Sequence, residues 1–197
     1  MGLGRMNSGR LRVALIGAAG KVAAPCHLHA WEMVNDAELV AVCDVNQQAV
    51  DQIGDACSIK KRFTSYEALL ADPDIDAVDI VTPSFLHADM TLAAAAAGKH
   101  IYVEKPMARS AGETVSMIDA ASAAGISLMV GESYVFQGSN VMARDLIDAG
   151  EIGDVLHVRQ TKGPWVMRPE ELDRLGGKGH YIPWRVDPEL SGGGPYP

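Results

Sequence analysis

The chain has 197 residues, of which 48% are apolar and 21% charged, with a net charge of −8; this is the profile of a globular chain with a substantial core. Its Lys and Arg residues are scattered, which argues against a nucleic-acid footprint and a basic membrane-surface patch, and its apolar runs are broken well short of a membrane span. Residues 1–10 form a polar, Gly-rich, flexible start without an apolar leader segment. Cys26, Cys43 and Cys57 have neither metal nor redox spacing, so reduced thiols in a cytoplasmic protein and no metal site are expected.

In chain order, residues 11–16 (Leu-Arg-Val-Ala-Leu-Ile) read as a first strand running straight into Gly17, followed by a helix over 20–33. A second strand over 38–43 ends at Asp44, and a helix is expected over 46–55. A weak strand at 59–63 precedes Thr64-Ser65-Tyr66-Glu67, a capping box opening a helix halted by Asp72-Pro73. Residues 77–81 form a fourth strand ending at Thr82-Pro83, with Thr82-Pro83-Ser84 capping the alanine-rich helix over 85–97 and Gly98 as its C-terminal stop. A fifth strand over 100–103 ends at Glu104-Lys105-Pro106. Ser110-Ala111-Gly112-Glu113 is a second capping box whose helix runs to Gly125, and 126–130 is a sixth strand. Strands alternating with helices predict an α/β fold, a doubly wound parallel sheet. After Gly131 a helix over 139–149 and a strand over 154–162 are expected, then Gly-, Pro- and Trp-rich loops to Pro197. This is the start of an incomplete α/β second domain over 132–197.

The informative polar motifs fall at strand carboxyl ends, the edge where doubly wound sheets bind ligands. Residues 17–23 (Gly-Ala-Ala-Gly-Lys-Val-Ala) follow a strand and open a helix, the context of a pyrophosphate site. Gly17 and Gly20 permit a tight turn and close approach of phosphate oxygens, and the helix N-terminus adds unpaired donors; Ala19, Lys21 and Val22 belong to the same expected contact loop. The spacing departs from G-x-G-x-x-G because Ala19 holds the middle position, and a plain structural turn has the same look. Asp44, at the end of the second strand, suits both ribose hydroxyls and repels a 2′-phosphate, so NAD is favoured over NADP; its other reading is a helix N-cap. Thr82 and Pro83 are expected beside the nicotinamide half of the cofactor. His87, one turn on, either faces the site or sits at the surface. Glu104 and Lys105 end the fifth strand. A lysine near a cationic nicotinamide is tuned toward proton exchange, or hydrogen-bonds a substrate hydroxyl; the alternative is a solvated lysine paired with Glu104.

These motifs give residues 11–131 the marks of a Rossmann-type dinucleotide domain. The chain resembles the glucose–fructose oxidoreductase, inositol dehydrogenase and MocA family of NAD(P)-dependent dehydrogenases. The resemblance rests on Val13-Ala14-Leu15-Ile16-Gly17, Val42-Cys43-Asp44, Thr82-Pro83 with His87, Gly98-Lys99-His100 and above all Glu104-Lys105-Pro106. It continues through Gly150-Glu151-Ile152-Gly153 to Trp184-Arg185 and Ser191-Gly192-Gly193-Gly194. It implies hydride transfer between nicotinamide and a sugar or polyol hydroxyl carbon, with Lys105 catalytic or substrate-binding and a cis bond allowed before Pro106. It also implies a second domain whose open sheet is often used for oligomer contacts, hence a homo-oligomer as one outcome. Two departures stand out. Val135-Phe136 replaces the usual Arg-Phe, and the family's Asp and proton-transferring His lie downstream of the triple glycine, where this sequence ends; none of its six histidines is equivalent, His180 included. A catalytically incomplete dinucleotide-binding module is therefore the second reading. A lone strand over 154–162 would present an unpaired edge, so that segment is expected to pack on the first domain, pair with another copy or lack order.

Overall fold

The computed structural model describes residues 9–20 and 23–159. The expected positions Lys21 and Val22, His180, Trp184-Arg185, the terminal glycines and residues 160–162 of the last expected strand lie outside the described residues. The elements run β1 (Leu11–Ile16), α1 (Ala23–Glu32), β2 (Ala37–Cys43), α2 (Gln47–Ala56), β3 (Lys61–Phe63), α3 (Tyr66–Leu70), β4 (Ala77–Ile80), a 3-10 turn at Ser84–Leu86, and α4 (His87–Ala96). They continue with β5 (His100–Glu104), α5 (Ala111–Ala124), β6 (Leu128–Gly131), a 3-10 turn at Ser133–Phe136, and α6 (Gly138–Asp148). All six strands are parallel, in the order β3-β2-β1-β4-β5-β6. The order reverses between β1 and β4, and the carboxyl ends of those strands open a crevice there.

Strand composition follows position in the sheet. Val13, Ala14, Leu15 and Ile16 of β1 and Val78 and Ile80 of β4 are buried, because helices cover both faces of the central strands. One face packs Ala14, Ile16, Val78, Ile80 and Val103 against Leu69, Ala94, Ala95 and Met117 of the α3–α5 side. The other packs Leu15, Val42 and Val81 against Ala24 and Val50 of α1 and α2. The alanines of α4 let α5 approach closely, with Ala94, Ala95 and Ala121 all buried.

Several local expectations shift for identifiable reasons. The first capping box slips by one residue: Ser65, not Thr64, is the N-cap, accepting from the Ala68 N–H. In the second, Ser110 accepts from the Glu113 N–H, but the Glu113 carboxylate takes the main chain and guanidinium of Arg109 rather than the Ser110 N–H. The alanine-rich helix begins as a 3-10 turn after Pro83, and Ser84 does not cap it; its hydroxyl is buried without a partner among the described residues. Strand β6 starts two residues late because Gly125, at φ +67°, closes α5 and the Ile126 N–H still bonds back to Ala121 O at 3.1 Å. Residues 154–159 are not a strand; they are exposed, as expected for a segment with no neighbouring ladder to join. Helix α6 has no buried residue.

The amino ends of the central strands are tied by charge. Arg12 grips Asp76 through Nε (2.9 Å), Nη2 (2.7 Å) and its main-chain N–H (2.9 Å). These bonds outweigh burial and hold the Asp76 carboxyl below its ordinary range. A carboxylate with a depressed folded-state pKa stabilises the fold above its unfolded value, and that contribution is lost as pH falls through the folded value. Asp76→Asn is therefore expected to cost about 2 kcal/mol at pH 7 and to flatten the loss of stability on acidification below about pH 4, as read from urea denaturation across pH.

Candidate functional site

The turn after β1 lies almost against the end of β4. Gly17 sits at φ +83°, and a Cβ there would meet Val81 O at 2.9 Å and Thr82 N at 3.0 Å. Backbone freedom and lack of a side chain are thus both required at this position. The turn is held by Gly17 N–H and Ala18 N–H, both donating to Cys43 O (2.9 and 3.2 Å), and by Gly20 N–H donating to Gly17 O (3.0 Å). Gly20 is exposed, and α1 begins three residues later without an acidic residue in its first turn. Its positive end is left free of a carboxylate of its own.

Asp44 meets this turn from β2. Its Oδ2 accepts the Ala19 N–H at 2.9 Å and its Oδ1 accepts the Asn46 N–H at 3.0 Å. Asp44 is not the helix N-cap: Asn46 is, accepting from Ala49 N–H. With four lone-pair positions, the carboxylate retains capacity for further donors.

Beyond β4, the Thr82 hydroxyl faces the Met90 sulfur at 3.4 Å. His87 is not at the surface. It is 1% exposed, with Nδ1 2.8 Å from Pro106 O and Nε2 2.9 Å from Thr82 O, so it staples the Thr82-Pro83 loop to the turn after β5. That turn contains a cis Lys105–Pro106 peptide bond. Lys105 is exposed, and its ammonium makes no hydrogen bond or ion pair among the described residues. Glu104 Oε2 accepts the main-chain N–H of Lys105 at 2.8 Å, and the nearby lysine charge also lowers the Glu104 pKa without a direct ion pair.

The other Glu104 oxygen leads to residues that sequence reasoning passed over. His27 of α1 places Nε2 3.1 Å from Glu104 Oε1 and Nδ1 2.8 Å from Asp79 Oδ2. Trp31, one turn further along α1, donates its indole N–H to the same Asp79 oxygen at 2.6 Å, and Tyr102 packs edge-on to the His27 ring with centroids 5.7 Å apart. Burial opposes charge on His27, but hydrogen bonds to Asp79 and Glu104 outweigh it and carry the ring up to about 9. Burial would raise the Glu104 carboxyl, yet the bonds from His27 and Lys105 N–H hold it below its usual range. The signal available in the sequence was Asp79 itself, an ionisable residue inside an otherwise apolar central strand, with His27 and Trp31 four apart on the first helix.

Gly17, Ala19, Gly20, Asp44, Thr82, Pro83, Glu104 and Lys105 thus stand on one carboxyl edge around the β1/β4 reversal, the geometry of a dinucleotide-binding oxidoreductase domain. Residues 11–132 match the model of the GFO/IDH/MocA oxidoreductase family with its NAD-binding Rossmann fold, and the chain belongs to that family. A D-xylose 1-dehydrogenase (NADP(+)) of Haloferax volcanii is 36% identical over 156 residues, 79% of this chain and 44% of that protein. A scyllo-inositol 2-dehydrogenase (NAD(+)) of Bacillus subtilis is 35% identical over 136 residues, 68% of this chain and 40% of that protein. The crystal structure of the WlbA dehydrogenase from Bordetella pertussis, in complex with NADH and UDP-GlcNAcA, superposes with a TM-score of 0.66 at 30% identity, covering 73% of this chain and 44% of that one. The chain spans less than half the length of these relatives. Among the described residues no helix is long and apolar enough to cross a membrane.

Gly17→Ala combines an unfavourable left-handed backbone with a steric conflict at Val81 O. Gly98, at φ +70° with nothing within 4 Å of an added Cβ, carries only the first penalty. Gly98→Ala is expected to cost about 1 kcal/mol. Gly17→Ala is expected to cost at least twice that and to weaken dinucleotide affinity at least about tenfold, measured by thermal melts and NADH fluorescence titration.

Proposed function

We propose that this chain carries the cofactor-binding part of an NAD-dependent oxidoreductase, acting on a hydroxyl-bearing carbon of a sugar or polyol. The observation that carries the reading is the convergence of the Gly17–Gly20 turn, Asp44 and Glu104-Lys105 on one edge. The residues fit a dinucleotide. A tight turn at Gly17 packed against Val81 O, where no Cβ fits, an α1 N-terminus without its own carboxylate and a carboxylate with spare acceptor capacity are features that suit pyrophosphate and ribose.

Bound NAD would supply the hydride acceptor. The Gly17–Gly20 turn and the N-terminus of α1 hold the pyrophosphate, with Lys21 and Val22 as further contacts. Asp44 accepts the ribose hydroxyls and repels a 2′-phosphate, which favours NAD over NADP; the Haloferax relative, named for NADP(+), is a case in which the preference differs. Thr82 and Pro83 border the nicotinamide side, with His87 setting their position. Lys105, exposed and without a side-chain partner among the described residues, takes up the hydroxyl proton as the hydride leaves the same carbon, or donates it back in the reverse direction.

Residues 11–131 are the dinucleotide domain, and 132–197 begin a second α/β domain, whose first helix is α6. The exposed Met142, Leu146 and Ile147 of α6 suit a surface meant to be covered within that domain or by a second copy. The three free cysteines fit a reducing, cytoplasmic setting.

Titrating the full chain with NADH, then assaying hydride transfer with a panel of aldoses, sugar acids and inositols, tests the reading. Binding with turnover is expected, and Lys105→Ala should lower turnover by about 10²–10⁴-fold while leaving NADH affinity within about twofold. Tight binding without turnover on any substrate would instead identify a catalytically incomplete dinucleotide-binding module. Asp44→Ala is expected to weaken NAD by roughly tenfold and to relax discrimination against NADP; unchanged selectivity would remove its assigned role.

A further inference from the structure

We propose that His27 is a positioning residue for Lys105: bridging Asp79 and Glu104, it fixes the Glu104 carboxylate on the Lys105 N–H and so ties the dinucleotide helix α1 to the turn that carries the lysine. The chemical meaning of the bridge rests on the role given to Lys105 above, whereas its test reads the geometry of the turn itself.

Asp79 and Glu104 lie on adjacent strands, with Asp79 opposite Tyr102 in the β4/β5 register and Glu104 two residues further on. Both carboxylates therefore project toward the face on which α1 lies. Asp79 is fully buried and the Glu104 side chain is 20% exposed. Two such carboxylates within reach of one ring repel each other in a medium of low polarisability. The His27 ring stands between them and offers each a donor. The groups facing it are Asp79 from β4, Tyr102 and Glu104 from β5, and Trp31 from its own helix. Gly131 of β6 leaves room for the Tyr102 ring, since a Cβ there would lie 2.9 Å from the tyrosine hydroxyl.

The consequence passes through Glu104. One oxygen is held by His27 and the other holds the Lys105 N–H, so the carboxylate transmits the position of α1 to the Lys105 main chain. The far side of the same turn is fixed by His87 on Pro106 O. The lysine thus stands on a peptide gripped from both ends by helices entering from different parts of the chain. Without His27, Glu104 is free to swing out toward solvent or the Lys105 ammonium, and the first grip is lost.

The test is NMR of the full 15N-labelled chain, following the Lys105 amide and the His27 ring nitrogens. In the unsubstituted protein the Lys105 amide proton should resonate downfield and should move in step with the His27 ring, whose titration is expected near pH 9. His27→Gln and Glu104→Gln should each shift it upfield, and the double variant should shift it no further than Glu104→Gln alone. Val50→Ala, a core truncation in α2, should leave it in place at comparable loss of stability. If His27→Gln does not fold, the titration of the unsubstituted chain decides alone. A Lys105 amide indifferent to the His27 titration, or displaced equally by Val50→Ala, overturns the proposal. NADH binding and turnover do not enter this readout, so their absence would count against the proposed function and not against the bridge.

Discussion

The close approach of the β1–α1 turn to the end of β4 governs this structure. Only a residue without a Cβ and able to hold φ +83° lets the chain pass Val81 O at that distance. The passage sets where α1 begins and along which line it runs over the sheet. Every other feature of the carboxyl edge is placed relative to that line. Asp44 reaches the turn through Ala19 N–H, the Thr82-Pro83 loop lies directly beneath it, and His27, five residues into α1, arrives above β4 and β5. A displacement of the turn would move the Asp44 contact and the Lys105 turn together.

Charge is handled differently at the two ends of the sheet. At the amino ends, Arg12, Lys61 and Lys99 meet Asp72, Asp74 and Asp76. Lys99 buries its ammonium against the carbonyls of Asp72 and Ile75, and desolvation lowers its pKa. These contacts lie far from the ligand edge and serve the fold. Towards the carboxyl ends the acidic residues include Asp44, Asp79 and Glu104. Asp79 and Glu104 share the single charge of the His27 ring, while Asp44 keeps main-chain partners and open lone pairs. Buried charge needs a partner, and His27 and Trp31 supply it at Asp79 Oδ2, while Asp79 Oδ1 is buried without a hydrogen-bond partner among the described residues.

How much of this was legible in the sequence depended on the range of the interaction. The strands were readable because central parallel strands are continuous apolar runs, and Gly98 and Gly125 were readable as helix stops because a left-handed C-cap is a local requirement. Gly17, Asp44, Thr82-Pro83 and Glu104-Lys105-Pro106 were recognisable because each follows a strand in an alternating βα pattern. The local expectations that shifted did so through competition between near neighbours, as with Ser65 taking the cap from Thr64. The expected strand beyond Asp154 did not form in the described residues because alternation supplies a pattern but no partner.

Sequence alone determined the alternation of strands and helices, the edge on which the chemistry-bearing residues fall and the likeness to a dehydrogenase family. The first two follow from spacing along the chain, and the third from the residues of the motifs themselves. The tertiary structure alone decided that His87 is buried as a staple between two loops, that Asn46 rather than Asp44 caps α2, and that His27 bridges Asp79 and Glu104. Those partners lie 52 and 77 residues from His27. No periodicity encodes such a contact; it exists only because the sheet order sets β4 and β5 side by side beneath α1.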